Sequence, residues 1–335
     1  MTTISDVAVH AGVSVMTVSR YFNDPTKLAA ATFERVKLAV DELGYVPNAT
    51  ARSLIRGRSD TIALVVADIR HPFFIAIARG VEDVAQAAKY VLFLGNSHET
   101  LARERQYLET VISRRVDGVI LAPTHGKRHN LEVLRQRGVP TVLIDRRLPD
   151  YDLDVVRGDT FTGGRILTEH LLAEGYRDIA FVGGTPGVSS LVDRLGGYER
   201  AMAAAGLAPR SMLGRYDQAS GEKLVGAMVA AARRGEASLP DALIAANNMV
   251  ALGALLALRR HGIRVPEDMA VAGFDDFDIA SQLDPFLTVV RQPAYEIGRE
   301  AMQLLLRRFE DADRPTEERV LPVELVVRRS TRRAP

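Results

Sequence analysis

The chain contains no cysteine, which excludes disulfide cross-links and thiolate chemistry. It also lacks any stretch near the roughly 18 uninterrupted apolar residues that a membrane-spanning helix needs, and its N-terminus lacks the apolar run of a secretory signal. The expected location is therefore the cytoplasm, with no membrane partner. Charge of one sign is not in excess: the formal net charge is +1, which by itself announces no nucleic-acid partner. Its distribution says slightly more, because between 43 and 59 the only charges are Arg52, Arg56 and Arg58, a candidate phosphate contact. Enzyme signatures are missing too. No GxxxxGK[ST] loop occurs, and GGTPG at 183–187 lacks dinucleotide-binding spacing. The run 187–191 ends in Leu191 where a nucleophile elbow requires glycine. His125 and His129 stand four apart with Gly126 between them and no third ligand in view, so no metal and no cofactor is expected.

With 25% charged and 47% hydrophobic residues over 335 positions, the composition is that of a soluble globular chain long enough for two or three domains. The most informative stretch is ISDVAVHAGVSVMTVSRYFN, 4–23. Ser5 is placed to cap a first helix carrying Val7, Ala8 and Ala11. Gly12 supplies a sharp turn, and Ser14 caps a second helix running to Asn23. At 100° per residue, Val18, Tyr21 and Phe22 share one face of that helix, and Met16, Ser19, Arg20 and Asn23 share the other. One face packs and the other is free to enter a major groove. Ser5, Ser14, Val15, Met16, Thr17, Ser19, Arg20 and Asn23 are the candidate DNA contacts of this unit. Val15 and Met16, both apolar, favour thymine methyls or DNA shape over donor–acceptor reading. Asp24-Pro25 breaks the chain, and Phe33, Val36, Val40 and Leu43 mark one face of a third helix that Gly44 ends. These helices form an all-α helix-turn-helix domain over 1–45. Over 46–60, Pro47 stops what precedes it and Asn48 can cap a helix too short to be stable alone in water.

From Thr61 the pattern changes to strands alternating with amphipathic helices. Strands are expected at 61–67, 90–96, 117–122, 140–145, 178–184, 241–246 and 269–274, and helices near 72–89, 101–114, 160–174, 218–233 and 247–261. Such alternation with β-branched runs implies parallel sheets covered on both faces, and so long a series implies two sheets. In open parallel sheets ligands bind beyond the carboxyl ends of the strands. Just past those ends stand Asp68 with His71-Pro72-Phe73-Phe74, then Asp145-Arg146, Asn247 and Asp275. Ser190 and Arg194 open another helix, and Tyr216 and Gln292 complete the group. Carboxylates, an amide and a guanidinium make paired hydrogen bonds to adjacent hydroxyls, while aromatic rings cover the apolar face of a sugar. The candidate effector-binding set is thus Phe73, Phe74, Asp145, Arg146, Ser190, Arg194, Tyr216, Asn247, Asp275 and Gln292.

The run DVAVHAGVSVMTVSRYFN followed by LGYVPNATARSL closely resembles the N-terminus of the LacI/GalR family of transcription regulators, and the remainder resembles that family's sensor domain. The resemblance implies a hinge helix over 46–60 that orders on DNA, with Asn48, Ala51, Arg52 and Leu54 as contacts and Leu54 wedged into the minor groove. It implies a periplasmic-binding-protein-like, two-lobed sensor over 61–335. Lobe 1 would hold about 61–158 and 291–318, and lobe 2 about 159–290 and 319–330. Arg194 in DRLGGY, Asn247 in NNMVALG and Asp275 in GFDD match effector-contacting positions. The sequence departs at Ala29, where relatives usually cap the third helix with serine, at Asn248, usually aspartate, and at Val188, which is arginine in purine-binding relatives. The last departure favours a sugar, sugar acid or sugar phosphate over a nucleobase. The expected protein is a homodimeric repressor of a pseudo-palindromic operator, not an enzyme. The tail Arg328-Arg329-Ser330-Thr331-Arg332-Arg333 is expected to be solvated, and it carries no heptads for a tetramer. A sugar receptor for transport shares the two-lobed architecture, but it would have no use for a helix-turn-helix.

Overall fold

A computed structural model describes residues 2–46, 58–125, 130–277 and 285–332. The chain divides into two compact units, 1–59 and 60–335.

Among its described residues the small unit holds three helices, α1 (Ile4–Ala11), α2 (Val15–Asn23) and α3 (Ala30–Leu43), with a 3₁₀ turn at Pro25–Lys27. Ser5 does not cap α1. Thr3 does, accepting from Asp6 N at 3.3 Å while Asp6 Oδ2 accepts from Thr3 N at 2.8 Å. The reciprocal pair needs a carboxylate three residues after the cap, which Thr3 has and Ser5, followed by Ala8, does not. Ser5 instead lies exposed inside the helix. Gly12, at φ 63°, makes the turn, and Ser14 caps α2 by accepting from Thr17 N at 3.2 Å. α3 starts at Ala30 with no side-chain cap from Ala29 and ends at left-handed Gly44. Val7, Ala8, Ala11, Val18, Val36 and Ala39 form the buried core. Tyr21 closes it, lying 4.9 Å from both the Phe22 and Phe33 rings. An all-aliphatic centre with an aromatic lid is enough for so small a bundle.

In the large unit, β1 (Thr61–Val66), α4 (Pro72–Ala87), β2 (Val91–Asn96), α5 (Leu101–Ser113), β3 (Gly118–Leu121), α6 (Leu131–Gln136), β4 (Thr141–Ile144) and β5 (Asp154–Gly158) build lobe 1. The chain then enters lobe 2 through α7 (Thr160–Ala173), β6 (Ile179–Val182), α8 (Ser189–Ala204), β7 (Arg210–Met212), α9 (Gln218–Arg233), β8 (Ala242–Ala245), α10 (Asn248–Arg260), β9 (Ala270–Phe274) and β10 (Thr288–Arg291). It returns to lobe 1 as α11 (Ala294–Glu310) and β11 (Glu318–Leu321), and ends in lobe 2 as β12 (Glu324–Val326) with a 3₁₀ turn at Arg329–Thr331. Lobe 1 is a sheet in the order β11-β5-β4-β3-β1-β2, and lobe 2 one in the order β12-β10-β9-β8-β6-β7. All pairings are parallel except that of β12, which runs antiparallel to β10. Central strands are almost wholly buried because helices cover both faces, as their unbroken apolar runs require.

Expectations for this unit change at three points, the first being Arg291, expected in lobe 1, which ends β10 and pairs with Glu324 in lobe 2. Residues 319–321 belong to lobe 1, since β11 pairs with β5 from Glu318 to Leu321, and the last crossing falls at Pro322. The basic tail is not solvated as a whole. Ser330 and Thr331 are fully buried, and Arg328 binds Asp276 at 2.6 and 2.8 Å. The chain thus crosses between lobes three times, after Gly158, after Arg291 and at Pro322.

Candidate effector cleft and DNA-reading face

On the small unit, α2 turns Val15, Met16, Arg20 and Asn23 to solvent, with Met16 70% exposed, while Val18 on the opposite side is fully buried. Ser19 holds Asn23 Nδ2 at 3.2 Å, and Ser14 and Thr17 share a hydroxyl contact at 2.9 Å over the start of the helix. An exposed, capped helix face of this kind is what a major groove accepts. Ser5 sits on α1, away from the α2 residues in the chain. Asn48, Ala51, Arg52 and Leu54 lie outside the described residues, as does His129.

On the large unit, a cleft of 510 Å³ opens between the lobes at the carboxyl ends of both sheets. Nine of the ten candidate effector residues line it: Phe73, Phe74, Asp145, Arg146, Ser190, Arg194, Tyr216, Asn247 and Asp275. Gln292 stands behind the wall, donating from Nε2 to Asp275 Oδ1 at 2.8 Å. Glu99, Thr124, Thr185 and Arg215 also line the cleft and were not in the candidate set. Glu99, Thr124 and Thr185 follow β2, β3 and β6, so the strand-end rule applied to every strand would have found them.

From lobe 1, Arg146 is fully engaged. Its guanidinium grips Glu99 at 2.5 and 2.9 Å, the Pro123 carbonyl at 3.1 Å and Asp145 Oδ2 at 3.3 Å. Burial works against its charge, but Glu99 and Asp145 outweigh burial and raise its pKa. The same partnership holds Glu99 below the usual carboxylate range in spite of burial. Burial pushes Asp145 up, with Arg146 and Arg194 opposing. From lobe 2, Arg194 donates to the Ala246 carbonyl at 2.5 Å, stacks 4.6 Å over the Phe274 ring, and brings Nη2 to 3.8 Å from Asp275. Tyr216 lies between the two guanidinium carbons, 5.9 Å from each. Asn247 caps α10, accepting from Val250 N at 2.8 Å, and turns its Nδ2 to the Tyr216 carbonyl and to His71 Nε2.

Four buried cleft atoms have no hydrogen-bond partner among the described residues: His71 Nδ1, Asp145 Oδ1, Arg194 Nε and Tyr216 Oη. Buried polar groups are costly unless satisfied, so atoms of this kind gathered on one cleft mark where a polar ligand completes them. The other cleft arginines are already neutralised, Arg70 by Asp68 at 2.6 Å and Arg215 by Asp217 at 3.0 Å. Beside the cleft the lobes are tied directly. Arg147 of lobe 1 clamps Asp193 of α8 through two bonds of 2.8 Å, and its backbone N–H donates to Ser189 Oγ at 2.9 Å.

Residues 3–48 match the family model described as bacterial regulatory proteins, lacI family, and residues 168–331 match the periplasmic binding protein-like domain. The ribose operon repressor of Halalkalibacterium halodurans is 35% identical over 332 residues, spanning 99% of this chain and 98% of that one. The lac repressor dimer solved with operator and the anti-inducer ONPF superposes with a TM-score of 0.85 at 27% identity, covering 99% of both chains. A LacI-family regulator from Enterococcus faecium, solved with bound ribose, superposes with a TM-score of 0.71 at 28% identity over 81% of this chain and 98% of that one. With likeness running through both the reader unit and the two-lobed unit, the chain belongs to the LacI family of bacterial transcription regulators.

Proposed function

We propose that this protein is a cytoplasmic repressor that binds a pseudo-palindromic operator as a homodimer and whose operator affinity is set by a neutral polyhydroxylated effector, a sugar, held between the lobes. The observation that carries the effector class is the charge pairing of the cleft: Arg70, Arg146 and Arg215 each have their own carboxylate and Arg194 faces Asp275 at 3.8 Å, so each of these guanidinium charges is already balanced without a phosphate or sugar acid. The unpartnered atoms that remain are a carboxylate oxygen, a guanidinium N–H, a phenol hydroxyl and an imidazole nitrogen, which suit hydroxyls. Among the alternatives named from the sequence, the neutral sugar is favoured over the sugar acid and the sugar phosphate. The cleft chemistry is that of binding and the chain's family is one of transcription regulators, so regulation rather than catalysis is the reading. The copy-to-copy face is drawn from lobe 1, where β2 is an edge strand carrying exposed Val91, Phe93 and Leu94, an apolar edge that a second chain would cover.

The test is a thermal-shift panel of neutral sugars, sugar acids and sugar phosphates on the full chain, followed by calorimetry on Arg194→Ala. A neutral sugar is expected to raise the melting temperature, and Arg194→Ala to weaken sugar binding about tenfold or more by removing an N–H donor from the cleft and the cation facing Asp275, with effector-free operator binding kept. A shift given only by phosphorylated or acidic sugars, or an Arg194→Ala variant that binds the sugar as the parent does, would overturn the assignment.

A further inference from the structure

His71 closes the turn before α4, 7% exposed, with its ring edge-on to Phe73 and Phe74. Its Nε2 lies 2.9 Å from Asn247 Nδ2, across the boundary between the lobes. The Asn247 amide cannot be turned over without loss. Its Oδ1 accepts the Val250 N–H that caps α10, and its Nδ2 also serves the Tyr216 carbonyl, so nitrogen is the atom that faces the imidazole. An amide nitrogen only donates, and His71 Nε2 must therefore present its lone pair. Burial, with Arg194 and Arg146, works against a charged ring, while Asp275 and Asp68 favour one, and burial prevails. A neutral ring that accepts at Nε2 carries its proton on Nδ1. That atom is buried, belongs to a cleft-lining residue, and has no partner among the described residues.

Because His71 and Asn247 belong to different lobes, moving the lobes apart would take Asn247 away from Nε2. A solvated histidine favours the proton on Nε2, which leaves Nδ1 an acceptor. We propose that lobe closure selects the tautomer of His71: Asn247 of lobe 2 holds the proton on Nδ1, so His71 offers the effector a hydrogen-bond donor only when the cleft is closed. The proton leaves Nε2 to solvent and another is taken at Nδ1, with no net charge change. Resting on the reading of the cleft as the effector site, the inference makes one lobe's recognition chemistry depend on the other lobe's position. An open cleft would present the wrong polarity to a ligand atom that needs a donor.

The test is two-bond ¹H–¹⁵N correlation of the histidine ring nitrogens in the full chain, with His71 assigned by His71→Gln. Closure is imposed without effector by joining Arg147→Cys to Asp193→Cys with a short bis-maleimide, the natural chain offering no competing thiol. In the joined protein Nδ1 should be the protonated nitrogen, and in the unjoined protein the Nε2–H form should grow. Asn247→Asp keeps the helix cap but turns the donor into an acceptor, so the joined Asn247→Asp protein should move the proton to Nε2 or bind a second one. If the joined protein carries its proton on Nε2, or if Asn247→Asp leaves the nitrogens as they were, the proposal fails. Saturating D-ribose gives a second route to closure with the native side chains, and calorimetry with D-ribose should show Asn247→Asp weaker by about tenfold or more. If the parent protein binds no D-ribose, the choice of sugar is wrong, while the ring nitrogens of the joined protein still decide the tautomer.

Discussion

Asp145 and Asp275 occupy matching places in the two lobes. Each is the first residue beyond the third strand of its sheet, and each has a left-handed backbone, φ 64° and 63°. That conformation is strained for a residue with a Cβ, and here neighbouring strands impose it. Asp145 N–H donates to Val156 O at 3.0 Å and Asp275 N–H to Val290 O at 2.9 Å. Strand-end position made both carboxylates legible in the sequence. The strain was not legible, because it comes from bonds to strands distant in the chain. His71 was named beyond the end of the first strand but left out of the candidate set, and its polarity depends on a residue 176 positions away. Asp276, one residue on from Asp275, serves stability instead. Burial would raise its pKa, but hydrogen bonds from Arg328, Arg291 and the Phe277 N–H outweigh burial and hold it down to about 2. A carboxyl depressed in the folded state contributes stability that is full above its unfolded value and lost as the pH falls toward the folded one. Asp276→Asn should therefore cost about 2 kcal/mol at pH 7, with the deficit shrinking between about pH 4 and 2. Urea titrations of both proteins across that range check it; a deficit that stays constant with pH would mean the charge is not what stabilises.

Pairs of helices in both lobes are locked by reciprocal glycines. A Cβ on Gly80 of α4 would lie 2.1 Å from Tyr295 O, and one on Gly298 of α11 would lie 2.1 Å from Ile77 O. Gly164 and Gly197 do the same for α7 and α8. The obstacle is backbone, which cannot swing aside, so Gly298→Ala should destabilise by roughly 1–3 kcal/mol although alanine is the better helix former. Gly226 of α9 is the contrast: a Cβ there meets nothing closer than His261 at 3.9 Å, and Gly226→Ala should stabilise by about 0.5–1 kcal/mol. Denaturant midpoints of the two variants should move in opposite directions, and the crowding argument is lost if they move together. At this scale the sequence marked seven of the strands, those that read as apolar runs of about six residues. β7, β11 and β12 escaped because they are short edge strands whose mixed exposure carries neither period, and β5 and β10 escaped although they lie inside their sheets, being runs of four or five residues that include Asp154, Arg157, Thr288 and Arg291. The start of α1 was misplaced by two residues because Ser5 and Thr3 are both good caps, and the carboxylate of Asp6 chooses between them.

At the scale of the whole molecule, two-sheet architecture followed from strand-helix alternation, whereas the three crossings came only from family resemblance. Nothing in local composition distinguishes β11 as a lobe 1 strand from β12 as a lobe 2 strand, since the partner of each lies far back in the chain. Assembly can be tested separately from ligand binding. Val91→Asp combined with Phe93→Asp places charge on the exposed edge of β2 and should convert dimer to monomer in sedimentation velocity while leaving the fold intact. A dimer that survives both changes uses another face.

The crossings also bear on how the protein is made. Lobe 1 leaves the ribosome first, yet Ile297, Ala301, Met302, Leu304 and Leu305, which cover its sheet, and the strand that closes its edge, come only with residues 294–321. Its apolar surface stays uncovered through the synthesis of nearly all of lobe 2, itself unfinished until β12. Neither lobe is complete before the last few dozen residues are joined, so a nascent chain interrupted late would hold two unfinished lobes rather than one finished and one missing.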